Sequence, residues 1–194
     1  METPKFNNIP NEHLTLRFDD GKNVIKRDIW ICRASSVDGI ILAITDKGIR
    51  VLIIKRSNTM RDEPNKFGVP CGYLDWNETR YEAMLREVHE ETSLYLPDYW
   101  RFNIFDNNKQ PFLVKDNPND NVRQNIANIY LTVFDFRKSM QDFPIEIEKF
   151  TCKETAMVEW LPLIDFYNIR REWAFKHDDA ITSAVDYFNR NHIL

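Results

Sequence analysis

The spacing of apolar residues changes several times along this chain, and each change marks an element. Residues 1–13 are mostly polar, after which "LTLRF" (14–18) alternates and reads as an added edge strand. Two longer stretches, "DIWICRASSVDGIILAI" (28–44) and "IRVLIIKRS" (49–57), are rich in β-branched residues. Between them Asp46, Lys47 and Gly48 supply turn chemistry, so the pair reads as a hairpin. "FGVPCGYL" (67–74) is a further short extended piece, because Pro70 disfavours helical backbone in the residue before it.

A helical pattern follows. Thr79 with Glu82 matches a capping box, in which each side chain satisfies a free N–H of the first turn. No Gly or Pro interrupts Arg80 to Leu96, and Pro97 closes the run, so a helix is predicted over that span. At about 100° per residue, Glu87, Glu90 and Glu91 share one face and Tyr81, Met84, Leu85 and Val88 form an adjoining apolar stripe. The polar segment 106–125 reads as loops around one short strand, "PFLV". "IANIYLTVFDF" (126–136) and "TAMVEWLPL" (155–163) read as strands. A last helix spans about 178–191, with Ile181, Ala184, Val185 and Phe188 spaced for burial. Strands, helix, strands, helix in this order predict a mixed α/β architecture, not an all-parallel sheet.

Composition narrows the class. At 194 residues the chain fits one domain, read as residues 31–194 with residues 1–30 an N-terminal extension packed on it. A hydrophobic share of 43% supports a sizeable core. The net charge of -4 gives no chain-wide reason to bind nucleic acid or an anionic membrane. The three cysteines, Cys32, Cys71 and Cys152, show neither disulfide-framework nor zinc spacing. The N-terminus lacks a secretory apolar stretch and the apolar runs are strand-sized, so a cytoplasmic protein is expected.

Three carboxylates within five positions repel one another on a helix unless something neutralises them. Arg86 is one turn from Glu90 and in line with Glu78, and could hold one carboxylate while the others stay free. Free clustered carboxylates are hard oxygen ligands suited to Mg²⁺ or Mn²⁺; a solvated acidic face is the plainer alternative from charge spacing alone.

Read in full, the stretch runs Gly72, five residues, Glu78, seven residues, then Arg86-Glu87-Val88-His89-Glu90-Glu91-Thr92-Ser93-Leu94. This resembles the Nudix box, G-x5-E-x7-R-E-U-x-E-E-x-G-U with U aliphatic, at every specified position except Ser93, where the box has Gly. The resemblance implies a Nudix-type α/β/α sandwich with a mixed sheet and metal-assisted hydrolysis of a nucleoside diphosphate linked to another group. Carried over, Glu87, Glu90 and Glu91 become metal-binding acids, and Glu78 a further ligand that organises the loop with Arg86. The backbone carbonyl before the box glycine, here that of Cys71, touches a metal in many relatives. Where the family writes "PGG" this chain has Pro70-Cys71-Gly72; if the lost glycine needs positive φ, Cys71 is strained. Ser93 falls at the turn leaving the helix, where a left-handed residue costs modest stability without removing a carboxylate.

The catalytic set expected is Glu90, Glu91 and Arg86, with Glu154 in "CKETAMVEW" as the later-loop candidate for general base. An exposed loop acid is the default reading of Glu154, and Glu159 before Trp160 reads as a structural one. Arg56 and Arg123 could meet a diphosphate, with solvated arginines the default. Phe67, Tyr73, Trp76 and Trp100 are candidate platforms for a base. Cys71 has no clear activator and reads as inert; His177 beside Asp178 and Asp179 reads as a helix-start cap.

The substrate expected is a nucleotide-derived small molecule. The NADH-type stretch "SQPWPFPxS" is absent, and Pro111 lies near where ADP-ribose hydrolases carry a proline, which slightly prefers ADP-ribose or a nucleotide sugar. The alternatives are a housecleaning nucleoside triphosphate pyrophosphatase and a non-catalytic Nudix-fold sensor. Every box carboxylate is present and the stretch after Trp160 is short for a winged helix, both of which disfavour the sensor. A homodimer, with the N-terminal extension at its interface, is consistent with the family.

Overall fold

The computed structural model describes residues 34–116, 125–168 and 170–191, and the backbone of two short strands before them. Those two, β1 (Thr15–Arg17) and β2 (Val24–Lys26), pair antiparallel in a sheet of their own. The expected edge strand at 14–18 is therefore a strand, but among the described residues it is not joined to the main sheet.

The main sheet is built around β3 (Ser35–Thr45) and β4 (Gly48–Arg56). They form the predicted hairpin across Asp46 and Lys47, with Thr45 opposite Gly48. Gly48 has φ of 107°, a conformation open to glycine and strained for other residues. The next strands are short: β5 (Phe67–Gly68) pairs with β4, and β6 (Cys71–Tyr73) pairs with the start of β3. After helix α1 (Arg80–Thr92) come β7 (Asn103–Phe105), β8 (Leu113–Asp116), β9 (Ile126–Asp135) and β10 (Thr155–Pro162). The order is β10-β4-β3-β9-β7; β3 and β9 run parallel and the remaining pairs antiparallel, so the sheet is mixed as expected.

Alternation sorts each long strand between two faces. Val37, Ile41 and Ala43 of β3 pack with Ala83, Met84 and Val88 of α1 on one side. Ile40, Leu42 and Ile44 pack on the other with Ala180, Ile181, Ala184, Val185 and Phe188 of helix α3 (His177–Asn191). The result is a helix-sheet-helix sandwich, each fully buried aliphatic or aromatic side chain contributing roughly 1.5–3 kcal/mol. Gly39 lets α1 approach: a Cβ there would lie 2.7 Å from Val88 Cγ2.

The capping box of α1 is present in both directions between Thr79 and Glu82. The far end comes before the Leu96 that the uninterrupted run predicts, and at Ser93, where the box position places the turn leaving the helix. The helix stops at Thr92 because Ser93 takes the left-handed conformation (φ 63°) and returns its N–H to the His89 carbonyl. A 3₁₀ stretch, Leu96–Phe102, then carries the chain to β7, and a short helix α2 (Leu163–Asn168) follows β10. No helix among the described residues is long and apolar enough to cross a membrane.

Candidate active site

Arg86 organises the acids of α1. Its Nε and Nη2 donate to the two carboxylate oxygens of Glu78 at 3.0 and 2.7 Å, a bidentate clamp that ties the loop before α1 to the helix. Nη2 also donates to the Tyr73 carbonyl at 3.0 Å. Nη1 donates to Glu87 at 2.7 Å and to Glu90 at 3.0 Å, so these two acids are not free of Arg86 as the sequence reading had them. The guanidinium holds the Glu78 carboxyl below its ordinary range.

Glu91 is the deepest of the acids, only 3% exposed. It accepts a hydrogen bond from the Cys71 backbone N–H at 2.8 Å. Burial, with the Glu87 carboxylate adding to it, pushes its pKa up to about 8 despite that bond. Burial raises Glu87 as well. Gly72 leaves the room the Glu87 carboxylate occupies: a Cβ there would lie 2.0 Å from Glu87 Oε1 and displace it. Cys71 is in extended strand backbone without positive φ, so replacing the usual glycine introduces no strain. Its thiol is pushed well up by burial and by the Glu91 carboxylate, which disfavours the nucleophilic thiolate.

Glu87, Glu90 and Glu91 open onto a cleft of about 430 Å³, which Lys153 and Glu154 from the loop before β10 also line. Glu154 is exposed, its backbone carbonyl accepts from Ser57 N–H, and its charge raises both Glu87 and Glu91. A second cavity of about 270 Å³ adjoins this cleft and shares Cys71, Gly72, Tyr73 and Glu154 with it. Arg56 lies in its wall, buried, donating to the Asp62 carbonyl and stacked over Phe175 at 5.0 Å.

Other expected residues fall elsewhere. Phe67 lines neither cleft; it sits between Trp173 and the Arg171 guanidinium, 4.5 Å from the ring centre. Trp100 packs on Phe134, Trp76 is almost fully exposed, and Tyr73 alone of the four aromatic candidates lines the clefts. Glu159 is held bidentately by Arg171, in line with the structural reading. Arg123 lies outside the described residues.

Asp38 and His177 were not anticipated at the site. Asp38, inside an apolar run, is 6% exposed and lines the second cavity. His177 is no helix cap: it is 2% exposed and its Nδ1 accepts the Val69 N–H at 3.1 Å. Burial, reinforced by Arg56 and Lys115, lowers its pKa to about 3, so the ring is neutral. Asp38, His177 and Cys71 offer ligand atoms within 4.8 Å of one another. With Nδ1 committed as an acceptor, the proton of the neutral ring is on Nε2, which removes the lone pair that a metal at this trio would need. The signal for Asp38 was a charge within a buried strand; for His177 none existed, because its partner is distant in sequence.

Against this geometry, comparisons with known proteins agree. An ADP-ribose pyrophosphatase of Methanocaldococcus jannaschii is 39% identical over 80 residues, covering 38% of this chain and 43% of that protein; the match thus spans less than half of that relative. The NUDIX domain of NrtR from Shewanella oneidensis, solved with ADP ribose, superposes with a TM-score of 0.59 at 19% identity, over 81% of this chain and 89% of that one. A bifunctional NMN adenylyltransferase/ADP ribose pyrophosphatase from Francisella tularensis, solved with AMP and a manganese ion, gives 0.59 at 20% identity over 81% and 42%. At these identities the two structures speak for the fold. The NUDIX domain family model matches residues 35–183, most of the chain, and the protein belongs to that family.

Proposed function

We propose that this protein hydrolyses the pyrophosphate bond of a nucleoside diphosphate linked to a further group, with ADP-ribose or a nucleotide sugar the preferred class, assisted by Mg²⁺ or Mn²⁺. The observation that carries the reading is the set of Glu87, Glu90 and Glu91 carboxylates facing one cleft, with the buried Glu91 carboxyl raised to about 8. An acid so placed favours either a proton or a cation, and this donor set of hard oxygens fits a divalent ion. The Cys71 thiol, by contrast, is not a fitting donor in its protonated state. When bound, a divalent ion supplies Lewis-acid activation of water and offsets the diphosphate's charge.

The chain's own groups divide the remaining work. Arg86 fixes the spacing of Glu78, Glu87 and Glu90. Arg56 offers a buried, stacked cation in the wall of the second cavity, suited to the diphosphate. Glu154, which lines the same cleft, is the candidate to hold and deprotonate the attacking water, which needs hydrogen-bond reach directly or through one more water. The ADP-ribose pyrophosphatase relative supports the substrate preference.

The test is turnover of a panel of ADP-ribose, nucleotide sugars, nucleoside triphosphates and dinucleoside polyphosphates with Mg²⁺ or Mn²⁺, beside an EDTA control. Ion-dependent release of AMP from ADP-ribose is expected. Turnover confined to triphosphates overturns the substrate class, and none on any compound overturns the hydrolytic reading.

A further inference from the structure

The second cavity contains a carboxyl to which no other described residue donates. Asp38 points to the α3 side of the sheet, the side taken by Ile40 and Leu42 of the same strand, and its carboxyl lines the cavity wall. It is more than nine-tenths buried, and among the described residues no hydrogen bond reaches it. His177 Nε2 stands at 3.8 Å, too long for one. The ring cannot turn to another use, because Nδ1 is held by the Val69 N–H and the ring lies hard against Gly68, where a Cβ would be 2.7 Å from Nδ1. The cavity thus presents two carboxylate oxygens and one fixed N–H at its floor. A carboxyl so deeply placed gains from donors that the described residues do not supply, and a ligand entering the cavity can bring them.

The surroundings say which kind. The lining carries the bases Arg56, Arg61 and Lys115 and, besides Asp38, the acids Asp62 and Glu154. At the Asp38–His177 corner it is the cations Lys115 and Arg56 that act, so no net pull on a cationic ligand is left there. Neutral donors remain. A pair of neighbouring hydroxyls can fill both carboxylate oxygens while one hydroxyl oxygen accepts from His177 Nε2–H, the pattern by which acids hold ribose hydroxyls in other proteins. The cavity meets the acidic cleft at Cys71 and Gly72, so a single ligand can reach both.

We propose that Asp38, with His177, forms a subsite for the vicinal hydroxyls of a sugar joined to the diphosphate. This rests on the hydrolytic reading above, and names what the group beyond the diphosphate is. It assigns Asp38 and His177 to substrate choice and not to bond breaking.

The two claims separate by experiment. Calorimetric titration in EDTA compares ADP-ribose with ADP, which carries the diphosphate without the second sugar. Wild type should bind ADP-ribose at least tenfold more tightly, and Asp38→Asn, confirmed as folded by circular dichroism, should bind the two alike. Equal affinity in the wild type, whether weak or tight, or a preference kept by Asp38→Asn, overturns the subsite; the wild-type comparison decides even if the variant does not fold. Turnover with Mg²⁺ is scored separately. Turnover without the preference sinks only the subsite, and the preference without turnover sinks only hydrolysis.

Discussion

Glu91 and Asp38 are both acids buried where charge is costly, on opposite faces of one sheet, and both have raised pKa values, about 8 and about 7. An acid whose folded pKa lies above its unfolded value binds more protons when folded. Its contribution to stability is full below about 4.5 for Glu91, or about 4 for Asp38, and drains away as pH rises through the folded value. The ion-free protein should therefore lose melting temperature between pH 5 and pH 8, with Mg²⁺ restoring it most at the upper end; a scan in EDTA and in Mg²⁺ checks this. Glu91→Gln should keep the fold, melt no lower than wild type at pH 8 without metal, and lose about 100-fold or more in turnover. Unchanged turnover in that variant would remove Glu91 from the machinery. The identities of the helix acids were legible because their spacing is local. The tying of Arg86 to Glu87 and Glu90 as well as Glu78 was not, since which oxygens a guanidinium reaches depends on rotamers and on where the preceding loop lies.

At the scale of elements, the start of α1 was legible in its capping residues and its end in the box position of Ser93, but not in the uninterrupted run to Leu96. Capping is written in residue types, Thr79 and Glu82, whereas a serine marks a left-handed stop only by standing where the box has Gly. Ser93→Gly should relieve the left-handed strain and stabilise the protein by about 0.5–1 kcal/mol, seen as a higher denaturant midpoint. Gly72→Ala should act differently. Its methyl would displace the Glu87 carboxylate rather than strain the backbone, so ion affinity should fall at least about tenfold while the fold is retained, as calorimetry with Mn²⁺ would show. The strands were read from β-branched alternation, but their order was not, because a parallel β3–β9 pair joins residues about ninety apart. That pairing and the seating of α3 determine which face Asp38 occupies, and so the second cavity was invisible until the sheet was assembled.

For the molecule as a whole, the six residues from Gly68 to Tyr73 lie where the two helical layers meet the sheet. Val69 N–H donates to His177 of α3 and Cys71 N–H donates to Glu91 of α1. Two amides with a single residue, Pro70, between them are thus anchored to side chains from opposite layers. Each is a spectroscopic reporter for one half of the site. In a ¹⁵N-resolved NMR titration, a divalent ion drawing on Glu91 should move the Cys71 amide resonance and leave that of Val69 nearly in place. A sugar drawing on His177 should do the reverse, and a complete substrate should shift both.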